Sequence, residues 1–461
     1  MGSRSELRQR LWRWHFFAGL MVCPFAILLS ITGAIYLFKP QIDSYEENRI
    51  NARAPVVEAH ISPMPADQLV RELLLDQPQA HLKHFILAKK NDRTVEVVLN
   101  QANGQEEIFW VDRYTGQVLN QAISDRRFLA VVKKLHGELL LGSKGSYVVE
   151  LMASWMIVLL ITGLYLWLAK TDPRGRFKVN WKRWFIPRLR SRRPRTQYRS
   201  LHGVLGMWFV IPILLLLLSG LPWTQLWGSG FKQLQDKMGW RQTQQQLAQS
   251  LASQASQQKD TVITDSSLWE INSDASQEGD QTTHLSPSDN AYMASLGRIV
   301  QRLQREDLAP PVQVQPPSTV QQGWIVRTLS QQRSQRVTIH YDRLSAEELM
   351  RIEFDDYHLV QRLASQGISL HEGALFGWLN QLLGLLTAIA IIGLSCFGLA
   401  IWWLRRPAGG LASPSKVMSP PSLSLWFALI VVGLFLPAAG ISFILVAVLE
   451  CGYSYFRGKG S

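Results

Sequence analysis

Four of the ten histidines in this 461-residue chain stand at or just before a long apolar run: His15, His136, His202 and His371. They fall into two matched registers. His136 precedes Gly163 of GLYLW by 27 residues (163 − 136), and His371 precedes Gly398 of GLAIW by 27 (398 − 371). His15 precedes Gly33 by 18 (33 − 15), and His202 precedes Gly220 by 18 (220 − 202), with Pro24 and Pro212 about midway. A single histidine of this kind reads as an interfacial side chain like the surrounding Trp. A polar ring that returns at the same helical position of a duplicated apolar segment instead faces a partner inside a bundle. The expectation is two sites of two imidazoles, His15 with His202 and His136 with His371.

Two imidazoles leave zinc or copper short of the three or four donors it takes, and no nearby Cys, Asp or second His completes the set around His15 and His202. A haem iron needs only two axial ligands, because the porphyrin supplies four nitrogens and presents an apolar face to a helical bundle. Small residues would let a flat macrocycle approach: Gly19, Gly33, Gly203, Gly206 and Gly220 on one pair of segments, and Gly142, Gly163, Gly373, Gly377 and Gly384 on the other. Arg13 and Arg199, just outside their histidines, are candidate propionate partners or snorkelling anchors. The absence of Cys-x-x-Cys-His makes the two haems non-covalent b type. The remaining histidines, His60, His81, His84, His284, His340 and His358, lie in polar segments, where a solvated or core role is expected.

The elements that must hold these histidines are apolar blocks long enough to cross a hydrocarbon core of about 30 Å, which takes roughly 20 helical residues. Five qualify, at residues 16–38, 151–168, 203–223, 375–404 and 426–449, and none contains Lys, Arg, Asp or Glu. The first is too long, and lacks a small-residue cleavage site, for a signal peptide. Short basic segments mark the cytoplasmic side. These are the N-terminus with Arg4, Arg8, Arg10 and Arg13, the stretch 170–199 with twelve Lys and Arg against Asp172 alone, and 405–421 with Arg405, Arg406 and Lys416. The net charge of +13 is therefore a signal of topology and of anionic membrane lipid, not of nucleic acid. Three cysteines, two of them within apolar blocks, exclude a disulfide framework.

Two long polar segments then lie outside the cytoplasm, which in a bacterium with an outer membrane is the periplasm. In the first, helical spacing over 66–75 is followed by alternating runs at 84–87, 94–99 and 107–111 and a turn at 112–116. The second repeats that order, with a helix near 291–304 and strands near 323–329, 336–341 and 350–354. IFWVDRYTGQVL at 108–119 matches IHYDRLSAEELM at 339–350, so the whole chain is a duplication of span, outer domain, span. The resulting order is segment and first span 1–38, outer α+β domain 39–135, second span 136–169, basic loop 170–201, third span 202–224, and Gln/Ser-rich insert 225–290. A second outer domain 291–370, fourth span 371–404, loop 405–421, and fifth span with tail 422–461 follow. A haem near each face would make a relay across the bilayer. No dinucleotide fingerprint is present, so the electron donor would be another protein or the quinol pool.

The opening WRWHFFAGL, the turn VDRYTGQVL, the start SLHGVLGMW and the paired LHGELLLG and LHEGALFG resemble the PepSY-associated transmembrane helix family, or iron-regulated membrane proteins. It includes di-haem reductases of ferric siderophores in the inner membrane. The resemblance covers nearly the whole chain except the Gln/Ser insert and the fifth span. It implies a membrane α-helical bundle of four duplicated spans, a fifth beside them, and two extracytoplasmic PepSY domains. It further implies haem ligation by His15, His202, His136 and His371, with reduction of a ferric siderophore in the periplasm. Ser345-Ala346, where the first copy has Thr115-Gly116, points to a less regular second domain.

Two other readings stay open. A non-catalytic sensor or assembly factor would bind a periplasmic partner through its PepSY domains. A permease is weaker, because the spans lack buried charge. Glu138, Glu150 and Glu372 near the outer ends could bind a cation or relay a proton, or simply be solvated rim carboxylates.

Overall fold

The computed structural model describes residues 2–55, 62–87, 92–168, 181–240, 290–317, 323–406, 410, 414–415, 417 and 421–458. Most of the Gln/Ser insert, His60, His284 and the first part of the basic loop lie outside the described residues. In chain order the helices are α1 (Gly2–Leu37), α2 (Lys39–Asn51), α3 (Ala66–Asp76), α4 (Phe128–Glu138), α5 (Ser143–Leu168), α6 (Trp181–Phe185) and α7 (Pro194–Gly220). There follow α8 (Gln225–Lys237), α9 (Asn290–Leu303), α10 (Leu359–His371), α11 (Trp378–Trp403), α12 (Leu423–Phe435) and α13 (Pro437–Gly458). The chain divides into a helical unit, Met1–Phe38 with Val132–Gln233 and Leu370–Ser461, and a second unit, Lys39–Val131 with Leu234–Ser369.

In the helical unit, α1, α5, α7 and α11 are long and apolar enough to cross a membrane. At 1.5 Å per residue the 26 residues of α5 extend about 39 Å, more than the hydrocarbon core requires. His136 and His371 each sit on a separate short helix ahead of a span. α4 ends through left-handed Leu139 and Leu140 (φ 52° and 60°), and α10 ends through Gly373 (φ 77°), so the chain turns before α5 and α11 begin.

The fifth block does not form a single span. It divides into α12 and α13 at Leu436, where Pro437 supplies no N–H and disfavours helical geometry in the residue before it. In a straight helix Gly433 and Gly440 would lie about 10 Å apart. Here a β-carbon on Gly433 would stand 3.0 Å from Gly440 Cα, so the chain reverses and the two backbones touch. The tip is buried: Leu436 and Ala439 join Ile157 and Leu221 in one apolar cluster, and Trp155 Nε1 donates to Ser442 Oγ at 3.1 Å.

The second unit is one antiparallel sheet built from both outer segments. The first contributes β1 (His81–Leu87), β2 (Thr94–Asn100), β3 (Glu106–Asp112) and β4 (Val118–Ile123). The second contributes β5 (Val312–Gln315), β6 (Trp324–Thr328), β7 (Thr338–Tyr341) and β8 (Glu348–Ile352). The order β4-β3-β2-β1-β5-β6-β7-β8 places the two copies back to back, joined where Phe85 pairs with Val314. Their edges therefore cover each other, which removes two exposed strand edges. Leu69, Val70 and Leu73 of α3 and Leu296 and Ile299 of α9 share a single core with Phe85, Val97, Val314 and Val326. Each such buried side chain contributes about 1.5–3 kcal/mol relative to exposure.

The turn after β7 keeps the geometry of its counterpart after β3. Ala346 adopts φ 58°, close to the 72° of Gly116. Asp342 Oδ1 accepts from the backbone of Leu344 and Ser345, which offsets the left-handed strain, and the Ser345 backbone N–H holds that carboxyl below its usual range.

Candidate functional site

The helical unit brings the four span-edge histidines together in the expected couples. The ring centres of His15 and His202 are 6.2 Å apart with planes at 90°, and those of His136 and His371 are 6.3 Å apart with planes at 66°. A metal held in line between two imidazole nitrogens by bonds of about 2 Å separates the ring centres by roughly 6 Å. Both couples have that spacing.

The other ring nitrogen of each histidine is committed to the protein. His15 Nδ1 lies 3.0 Å from Thr162 Oγ1, and His136 Nδ1 lies 3.0 Å from Thr32 Oγ1. Both hydroxyls give their own hydrogen to the carbonyl four residues back, Thr162 to Val158 and Thr32 to Leu28. They can therefore only accept, so the imidazole nitrogen must be the donor. His202 Nδ1 donates to Leu394 O and His371 Nδ1 to Leu216 O, each at 2.9 Å. With Nδ1 protonated, Nε2 keeps its lone pair, the tautomer a metal ligand needs.

The repeated glycines explain how the rings reach those carbonyls. A β-carbon on Gly163 would lie 2.9 Å from His15 Cε1, on Gly33 3.0 Å from His136 Cε1, on Gly220 3.1 Å from His371 Cε1, and on Gly398 3.6 Å from His202 Cε1. Residues i and i−4 share a helix face, and each histidine bonds the carbonyl four residues before its glycine: Leu159, Leu29, Leu216 and Leu394. The missing side chain opens that carbonyl to an imidazole from the neighbouring helix. Gly33 and Gly220 thus receive a histidine, whereas the sequence suggested that they face a macrocycle; Gly163 does both, receiving His15 and lining the cavity beside it.

Gly19, Gly163, Gly203 and Gly206 line a cavity, of about 1660 Å³, around His15 and His202. Trp12, Trp167 and Trp402 contribute to its wall, and Arg8, Arg195, Arg199 and Arg405 bring four cations, with no carboxylate lining it among the described residues. Arg405 stacks on Trp12, 4.3 Å from the ring centre. Arg13 is not part of this wall. Its Nη1 donates to Pro414 O at 2.6 Å and its guanidinium lies over Phe17. Arg8 and Arg405 were missed by the sequence reading because they reach this wall only through helix packing, whereas Arg195, one turn before Arg199 on α7, was legible from its spacing and overlooked. Among the described residues no group of three or more His, Cys, Asp or Glu is arranged to hold a metal ion, which leaves the imidazole couples as the candidate centres.

Glu150 is a buried structural group, not a solvated rim carboxylate. It is fully enclosed on α5, and its two oxygens accept from the backbone N–H groups of Leu226 and Trp227 at 2.8 and 3.0 Å. They satisfy the first turn of α8, where helix donors lack internal partners. At the same end of the bundle as His371, Trp223 packs edge-on to that ring at 5.5 Å.

Four long apolar helices among the described residues, together with a separate antiparallel sheet, define a multi-pass membrane protein. The chain belongs to the family of the PepSY-associated TM region, which it matches over residues 12–405. The α12–α13 hairpin lies beyond that match. No curated protein matches the chain significantly.

Proposed function

We propose that this protein carries single electrons across the bacterial inner membrane, with a b-type haem between His15 and His202 and a second between His136 and His371. The observation that carries the reading is the pair of imidazole couples with matched spacing, each Nδ1 held by the neighbouring helix and each Nε2 left to ligate. A haem bound there would supply one-electron redox chemistry. The chain's own residues do the rest: they fix both rings, exclude water with apolar helix faces, and gather arginines able to pair with propionates.

Along α1 the level of His15 and the level of Gly33, which receives His136, are about 27 Å apart at 1.5 Å per residue. Two sites at that separation match the hydrocarbon thickness and suit a relay from one face to the other. The basic end, by the positive-inside rule, faces the cytoplasm and receives electrons from quinol or a cytoplasmic protein. The acceptor in the periplasm is a ferric siderophore, in keeping with the family.

The test is the visible spectrum of the purified protein before and after dithionite, with haem counted per chain. Sharp b-type bands and two haems are expected, with one lost in His136→Ala or His371→Ala and the other in His15→Ala or His202→Ala. Bands that are absent, or unchanged in all four variants, reject the reading. Function that survives loss of all four histidines but not deletion of 61–120 would assign a sensor or assembly role.

A further inference from the structure

The cavity around His15 and His202 is rimmed by charges that the protein itself leaves unpaired. Arg8 on α1 and Arg195 on α7 stand in one register, each seven residues before its histidine (15 − 8 and 202 − 195). The duplication thus delivers one guanidinium per copy to the same mouth, where Arg199 and Arg405 join them. None of the four makes an ion pair or a side-chain hydrogen bond among the described residues. Residues 6–13, 181–199 and 405–406, which form this end, contain Glu6 as their only acid. The crowding is felt around the rim: burial and then Arg195 lower the Arg405 guanidinium, and burial followed by Arg188, Arg199 and Arg8 lowers that of Arg183 on α6.

The positive-inside rule accounts for cations at these helix ends, but it sets no direction for them. Here they converge on one opening, and aromatic rings hold them in place. Arg405 lies on Trp12, Arg183 lies over Trp167 at 5.4 Å, and Arg406 lies over Trp403 at 3.5 Å. In the same basic segments Trp403, Ile186 and Leu189 are more than half exposed. Arginine and tryptophan presented together are the side chains that most often anchor one protein on another. The two propionates of a bound haem would balance two of the four rim cations and leave a surplus.

We propose that this rim docks an acidic one-electron carrier protein, one with a flavin or iron–sulfur centre, as the electron donor; the inference rests on the haem reading of the same site. One electron leaves the carrier's reduced centre, which is oxidised, and the iron between His15 and His202 goes from ferric to ferrous. No bond or proton changes hands. A quinol, by contrast, gives up two protons with its two electrons. At this couple both Nδ1–H groups are already donating, and arginine accepts no proton, so the lining favours the protein donor. Opposite charge on the carrier would steer it to the mouth. A lipid phosphate would neutralise the same rim without bringing an electron.

The experiment places the purified full-length protein in phosphatidylcholine nanodiscs and titrates it with an acidic flavodoxin and, separately, an acidic ferredoxin. Binding is read by interferometry, and reduction of the haem band by the reduced carrier is read by stopped flow. Saturable binding is expected, with affinity and second-order rate both falling about tenfold or more between about 0.05 M and 0.5 M salt. Arg195→Glu with Arg405→Glu should produce a loss of the same order, and Arg195→Lys with Arg405→Lys should retain binding. The binding arm needs no cofactor, so absent b-type bands reject the haem reading while binding still decides the docking surface. No saturable binding of either carrier, or affinity indifferent to salt or to charge reversal, overturns the proposal. Docking without reduction of an intact haem, faster reduction by a water-soluble quinol, or complete loss of binding when phosphatidylglycerol is added to the nanodisc overturns it as well.

Discussion

Gly163 lies so close to His15 that a β-carbon there would stand 2.9 Å from the imidazole Cε1. The contact is the same device that seats His136 on Gly33 and His371 on Gly220, and it grades across the four sites. Gly163→Ala, Gly33→Ala and Gly220→Ala should each displace a ring, at a cost of about 1–3 kcal/mol of overpacking, and weaken retention of the proposed haem at that site. Gly398→Ala, with 3.6 Å available, should be nearly silent. The readout is haem content and reduced absorption of the four variants; equal damage at Gly398 and Gly163 would show that the seat is not the cause.

Glu150 ties α5 to the start of α8 through two charge-assisted hydrogen bonds. Glu150→Ala leaves two buried backbone donors unpaired and should lower stability by about 3 kcal/mol, whereas Glu150→Gln, which keeps one acceptor, should lose about half of that. Thermal unfolding of the detergent-solubilised protein measures both. A carboxylate serving as a proton relay would give the opposite pattern, with both variants folded normally and turnover lost.

At the joint between the two copies, His84 Nδ1 lies 2.8 Å from Gln313 Nε2 and accepts from its amide. Burial, then the charges of Lys83 and Arg327, lower the imidazole to about 3. The unfolded chain titrates near 6.5, so between about pH 3 and 6.5 it binds more protons than the folded one, and stability rises with pH across that window. Acidification below 6.5 should cost up to about 1.4 kcal/mol per pH unit from this group. His84→Gln should flatten the pH dependence of the melting temperature, and an unchanged slope would remove His84 as its source.

The four histidines, their couples and the duplicated spans were legible because each rests on a register that survives in one dimension: 18 and 27 residues, with a glycine at the end of each. What those glycines do was not legible, since the ring and the carbonyl they serve come from different helices. The strands read from alternation, Thr94–Asn100 and Glu106–Asp112, were legible for the same reason as the spans. β5 was not, because Val312–Gln315 is four residues between prolines and finds its meaning only beside β1. Without β5 the two outer segments read as separate domains, although they build one sheet and one core. Arg13 does not line the cavity around His15 and His202, because nearness in sequence to His15 does not fix where a long side chain turns.

The fifth apolar block carries the last prediction. Hydropathy and length made it a span that would leave the C-terminus opposite the N-terminus. The backbone contact between Gly433 and Gly440 and the break at Pro437 turn it back on itself. Near its start, Gln9 Nε2 donates to Ser415 Oγ and Arg13 to Pro414 O, which ties the preceding loop to the basic end of α1. A hairpin entering there returns there, so a reporter fused after Ser461 should behave like one fused at the N-terminus: fluorescent green fluorescent protein and inactive alkaline phosphatase for a cytoplasmic N-terminus. Gly433→Leu should force the backbones apart and cost about 1–3 kcal/mol by overpacking, loosening the tip from Ile157 and Leu221. Opposite reporter signals at the two termini would mean that α12 and α13 cross the bilayer as a bent span, with Leu436 at its kink and not at its tip.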